Sequence, residues 1–194
     1  MRKSVVFAVV LAFVLGSVGY ALAAGNMMQA KEKEVHAGFV KMIPKDHLID
    51  VFKLHEVWEK AMKDPAYRAK IYMIDVRTDT EFNLFHIEGT DHIQAGHMYV
   101  IPKKISDPNT PIYVWCRTNH RAKYVGGFLY KYGFKNVYVV SSKGENKGGV
   151  VGWAQAGFPF VNQLAGTFKI LEYRPHPSKE ETPSFYHVRM WHPY

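Results

Sequence analysis

Residues 112–140 read IYVWCRTNHRAKYVGGFLYKYGFKNVYVV. Ile112 to Trp115 is a compact apolar run behind Pro111, and Val137 to Val140 is another. Both have the length and continuity of strands buried on two faces. Between them, Arg121 to Tyr132 carries apolar residues at helical spacing, with Phe128, Leu129 and Tyr132 as core candidates, and Gly133 supplies the stop. A strand, a short polar loop, a helix and a second strand in that order predict two strands of a parallel sheet.

The same alternation extends outward. Ile71 to Val76 is a strand candidate, and Thr80 to Phe85 a short helix. Upstream, Asp46 to Lys63 repeats Leu48, Val51, Phe52, Val57, Trp58, Ala61 and Met62 near helical spacing and is ended by Asp64-Pro65. Phe39 to Ile43 reads as a first short strand before Pro44. His86 to His97 has no period and reads as loop, as does Ser141 to Gly149. Val150 to Ala156 reads as a last helix, closed by Gly157 and Pro159. The pattern predicts an α/β fold: a doubly wound parallel sheet flanked by helices on both faces.

The chain has 194 residues, with 25 Lys+Arg against 17 Asp+Glu, a formal charge of +8. This length suits one domain with appendages. One cysteine excludes an internal disulfide framework and a cysteine-cluster metal site. The first residues have the pattern of an export signal: basic Arg2 and Lys3, an apolar run from Val5 to Leu15, then Ala21-Leu22-Ala23. Cleavage is expected after Ala23, with a retained anchor helix as the alternative. The expected division is a signal peptide over 1–23, a lead-in over 24–38, the domain over 39–163 and a C-terminal extension over 164–194. Cleavage leaves a net charge of +6, which favours anionic ligands. A periplasmic location follows. Nucleic acid is not an expected partner.

Cys116 lies where the strand Ile112–Trp115 gives way to a helix. Unpaired N–H groups at a helix N-terminus stabilise an anion, and Arg117 and Arg121 add full charges. An accessible thiol there has a lowered pKa, so the expectation is a thiolate nucleophile in an anion cradle. The competing reading is a small, buried hydrophobe. His86, His92 and His97, and likewise His176, His187 and His192, lack the tight spacing of metal ligands. No metal or cofactor is expected.

Ile74-Asp75-Val76-Arg77 with Glu81, His86-Ile87-Glu88-Gly89, Cys116 with Arg121 after four intervening residues, Tyr132 to Val137, and Gly148-Gly149-Val150 with Trp153 and Gly157-Phe158-Pro159 resemble, in order, the motifs of rhodanese-like domains. The resemblance covers about residues 40–162. Within that family the chain looks closest to periplasmic single-domain polysulfide-sulfur transferases of the Sud type, sharing a lone Cys and the pair His97-Met98 upstream of it. The resemblance implies sulfur transfer through a Cys116 persulfide. Arg117, Thr118, Asn119, His120 and Arg121 would form the substrate cradle, with Asp75 and Arg77 behind it. Asp75 would bond backbone near the loop, and Arg77 would add to the positive field or pair with Glu81; the alternative, which carries more weight for these two, is a purely structural turn network. The implied partners are polysulfide or thiosulfate, a thiol or respiratory-protein acceptor, and a second copy in a homodimer. A non-catalytic docking or carrier module and a redox sensor are the competing functions. Cysteine phosphatases use a loop one residue longer. Phe85 and Glu88 stand where the family has Gly and Pro, and the loop 142–147 and everything beyond Asn162 are additions.

Overall fold

The computed structural model describes residues 27–170. The expected signal peptide and most of the extension, including His176, Phe185, Tyr186, His187, Trp191, His192 and Tyr194, lie outside the described residues. Five parallel strands form one sheet in the order β1-β5-β4-β2-β3: β1 (Leu48–Ile49), β2 (Tyr72–Asp75), β3 (Asp91–His92), β4 (Ile112–Trp115) and β5 (Val137–Val140). The α/β class and parallel sheet expected from the sequence are what the chain adopts.

Alternation along the strands sorts the core into two layers. Ile74, Ile112, Val114, Val137 and Val139 face one side, under α5 (Ile101–Lys104) and α6 (His120–Tyr132). Met73, Tyr113, Trp115 and Val140 face the other, with Val51 and Leu54 of α2 (Val51–Lys63) and Trp153 of α7 (Gly149–Gln155). Two short helices, α3 (Pro65–Arg68) and α4 (Asp79–Leu84), complete the connections. Thr78 caps α4 through a reciprocal capping box with Glu81.

Several expectations need correction. Residues 39–43 are not a strand. They close a helix, α1 (27–41), which also absorbs most of the lead-in. The helix expected over 46–63 begins at Val51. Asp50 accepts from the Lys53 amide as its N-cap, and Leu48–Ile49 ahead of it pairs with β5 as the edge strand. Helical periodicity concealed two strand residues because an edge strand this short carries no period of its own. The expected loop over 86–97 contains β3 and the start of a 3-10 helix, Ala95–Val100. An antiparallel hairpin, β6 (Phe160–Asn162) and β7 (Gly166–Phe168), straddles residue 163, where the extension was placed.

α1 docks on α6 at Gly127. A Cβ there would sit 2.7 Å from the Phe39 carbonyl oxygen, so the contact exists only because that side chain is absent. Phe39 then lies against Phe128, with ring centroids 4.3 Å apart. Gly127→Leu is expected to lift α1 off α6 and lower stability by roughly 1–3 kcal/mol. Hydrogen exchange should report it as faster exchange within 27–41, with the sheet strands still protected.

Candidate active site

Cys116 ends the inward row Ile112, Val114, Cys116 and therefore points to the α5/α6 side of the sheet. The amides of Ala122 and Thr118 donate toward its sulfur. The loop's carbonyls are engaged from the opposite side. Val150 N donates to the Cys116 carbonyl and Val151 N to the Arg117 carbonyl, each at 3.0 Å. This approach is so close that a Cβ on Gly149 would lie 2.3 Å from the Cys116 oxygen and 2.5 Å from the Thr118 oxygen. Gly149 also has φ +54°, which side-chain-bearing residues rarely adopt.

Arg121 anchors the far end of the loop. Its guanidinium donates two bonds to Glu81, at 2.7 and 2.8 Å. Burial alone would raise the Glu81 carboxyl, but the bonds from Arg121 and Thr78 outweigh it and bring it down to about 2. Arg77 follows the structural alternative, a turn network, and not either functional expectation. It does not pair with the Glu81 carboxylate and adds little net field. It is 2% exposed, and its Nε lies 2.8 Å from Asp75 Oδ2, while its other nitrogens donate to the carbonyls of Glu81 and Phe85. Asp75 in turn accepts from the Arg77 amide and not from the loop. This pair ties β2 to α4. Phe85, the residue standing in place of a family Gly, covers the Arg77 guanidinium at 5.1 Å and meets Phe160 edge-on.

The rest of the cradle is distributed as follows. Arg117 and Thr118 are half-buried. Asn119 precedes α6 and reaches Ser142 Oγ at 3.4 Å. His120 is exposed at the rim. Met98 packs on the Cys116 layer, and His97 is exposed. His86 and His92 sandwich Phe82, at 4.0 and 4.2 Å. Among the described residues, no three His, Cys, Asp or Glu converge as metal ligands.

One expectation fails at the sulfur itself. Cys116 is 2% exposed, and burial pushes its thiol up. The amides of Ala122 and Thr118 and the charge of Arg121 act in the opposite direction and do not overcome it. The resting thiol is protonated at neutral pH and closed off, not the accessible, acid-shifted thiolate expected from the sequence. The open groove of about 530 Å³ between β1, α2 and residues 141–143 offers no route to it, since none of residues 116–121 lines that groove.

Three participants were not picked out as site residues from the sequence: Glu81 as the partner of Arg121, Lys123, and Glu32 of α1. Lys123 is half-buried, its ammonium is lowered by burial, and it feels the charge of Cys116. Its place two residues after Arg121 was a usable signal. Nothing in the sequence pattern announces that Glu32 meets His120 across 88 residues.

Two measurements test this electrostatics. Alkylation of Cys116 is expected to be slow at pH 7 and to accelerate only above the ordinary thiol range. Rapid labelling at neutral pH would contradict the burial. Glu81, lowered in the folded chain, contributes stability above its unfolded value that is lost as pH falls from about 4.5 toward about 2. Discounted for partial exposure, that contribution is roughly 1–2 kcal/mol. Glu81→Gln should remove this acid-dependent loss and lower stability at pH 7, read by chemical denaturation.

A family model described as rhodanese-like domain matches residues 54–156, just over half of the chain. A comparison with curated proteins returned no match. Among solved structures, the polysulfide-sulfur transferase homodimer of Wolinella succinogenes is 23% identical, covering 73% of this chain and 94% of its own, with a TM-score of 0.50. A rhodanese-related protein of Thermoplasma volcanium is 21% identical over 59% of this chain and 96% of its own, TM-score 0.45. A rhodanese-like domain from an Anabaena species is 16% identical over 64% and 92%, TM-score 0.46.

Proposed function

Because the chain belongs to the rhodanese-like family, we propose that it is a sulfurtransferase whose Cys116 carries sulfane sulfur as a persulfide. The observation that carries this reading is the pair of amides, from Thr118 and Ala122, aimed at the Cys116 sulfur inside a loop tied down by Arg121 and Glu81. Inward-pointing amides on a lone cysteine serve an anion, and a persulfide is ionised at neutral pH more readily than the thiol it replaces.

The chemistry balances in two steps. The Cys116 thiol loses its proton, and Sγ attacks a sulfane sulfur of polysulfide or thiosulfate. The Sγ–S bond forms as the donor's S–S bond breaks, and the departing polysulfide fragment or sulfite leaves with the electron pair and takes up the proton. A thiophilic acceptor, a thiol or a respiratory protein, then takes the terminal sulfur and returns Cys116. The closed resting loop requires that the rim yield before the first step. Half-buried Arg117 and Lys123 supply the positive field that draws an anionic donor to it. Arg121 stays on Glu81 and holds the frame.

We place this activity in the periplasm, on the basis of Arg2-Lys3, the run Val5 to Leu15 and Ala21-Leu22-Ala23. The homodimer of the Wolinella protein extends to this chain as part of the same proposal. The buried, protonated state of Cys116 favours a second reading, a docking module on the same fold that performs no transfer.

Mass spectrometry of the protein mixed with polysulfide separates the two. A gain of one or two sulfur atoms, lost on addition of cyanide or thiol and absent in Cys116→Ser, supports transfer. A wild-type protein that gains none supports docking. The mature N-terminus of the cell-derived protein is expected at Ala24.

A further inference from the structure

α1 lies outside the stretch matched by the family model, yet it reaches the rim of the cysteine loop. Glu32 Oε1 is 3.0 Å from His120 Nε2 and accepts from the Tyr124 hydroxyl at 2.9 Å. The His36 ring stacks on the His120 ring, with centroids 4.0 Å apart and planes 17° from parallel. His120 is therefore gripped on one edge by a carboxylate and on one face by a second ring. The Gly127 notch that seats Phe39 shows that the docking of α1 is built into α6.

The carboxylate decides the tautomer. The hydroxyl of Tyr124, together with His120, holds Glu32 below the ordinary carboxylate range, so it is ionised and only accepts. Neutral His120 must then donate from Nε2 and carry its lone pair on Nδ1. Among the described residues, no hydrogen bond reaches that Nδ1. His120 is also the first residue of α6, the helix whose Ala122 amide points at the sulfur, and its side chain is 54% exposed. The groups that face it are Glu32 and His36 from α1 and Tyr124 from α6, with Lys123 close enough to act on His36.

A base oriented by a carboxylate at the mouth of a sulfur-transfer loop has a task on the acceptor side. A weakly acidic thiol arrives protonated and is a poor nucleophile until its proton leaves. Resting on the sulfurtransfer reading above, we propose that the Glu32–His120 pair adapts this site to protonated thiol acceptors, with His120 Nδ1 taking the proton of the incoming thiol and releasing it to the departing Cys116 sulfur. The step is Cys116–S–S⁻ + R–SH → Cys116–SH + R–S–S⁻. The acceptor sulfur bonds to the terminal sulfur, the Sγ–S bond breaks with its electron pair on Sγ, and the thiol proton ends on Sγ, restoring the protonated resting thiol. His120 acts on the reacting thiol, and Glu32 is a positioning residue.

The test charges the full protein to completion with polysulfide. It then follows discharge by mass to two thiols of similar size, one with a pKa above the assay pH and one below it. Replacing His120 with Ala or Gln should slow discharge to the less acidic thiol on the order of a hundredfold. Discharge to the already ionised thiol should change by less than about threefold, because that acceptor brings no proton to remove. Added imidazole should restore part of the loss in His120→Ala, and Glu32→Gln should show a smaller loss of the same selectivity. Equal slowing with both thiols, or no slowing with either, overturns the proton role while leaving sulfur transfer standing. A wild-type protein that never accepts sulfur overturns the transfer reading itself, and this role with it.

Discussion

The carbonyls of Cys116 and Arg117 end on the amides of Val150 and Val151, and this contact sets the terms for the rest of the site. The first amides of a helix are normally free to hold an anion. In α7 they are spent on the loop's own backbone, and Gly149 is what lets the two backbones come so close. With its carbonyls turned toward α7, the loop directs its amides the other way, toward the sulfur. The cradle is thus made by the position of one helix beneath it as much as by the sequence from Cys116 to Arg121.

Charge around the loop is matched more closely than the excess of basic residues suggests. Arg121 faces Glu81, and Arg77 faces Asp75, so two of the nearby guanidinium groups arrive with a carboxylate each. Such pairs fix geometry but leave little net field for a neighbour. The sulfur is left with two amides and a partly cancelled cation to set against almost complete burial, and burial wins. A neutral resting thiol is the consequence. Such a thiol reacts slowly with oxidants and disulfides, because the thiolate is the reactive form.

Much of this was legible in the residues. Ile112–Trp115 and Val137–Val140 are strands over the spans their apolar runs predicted, and α6 begins one residue from its expected start. Those elements are set by local composition and by the alternation of buried rows. The edge strand Leu48–Ile49 was not legible, because two residues contribute no pattern and the helix that follows dominates the window. Nor was the state of Cys116. Two flanking arginines suggested a strong positive field, but whether a guanidinium is spent depends on carboxylates that approach from 40 residues away.

The two sides of the loop differ in how firmly they are held, and that difference locates the compliance that chemistry at Cys116 needs. On the α7 side the contacts are backbone to backbone and buried. Moving them exposes unpaired carbonyls, each costing on the order of 1–3 kcal/mol. The Arg121–Glu81 bond is bidentate and mostly shielded. On the α1 side, His120 is held by Glu32, and these two side chains are 54% and 45% exposed. A hydrogen bond between side chains open to water contributes about 1 kcal/mol or less, and a stacked ring pair adds a similar amount. A loop clamped on one side and lightly held on the other opens toward its weak side. In the proposed transfer, access to the sulfur runs past His120 and Glu32, beside the helix that lies ahead of the residues matched by the family model.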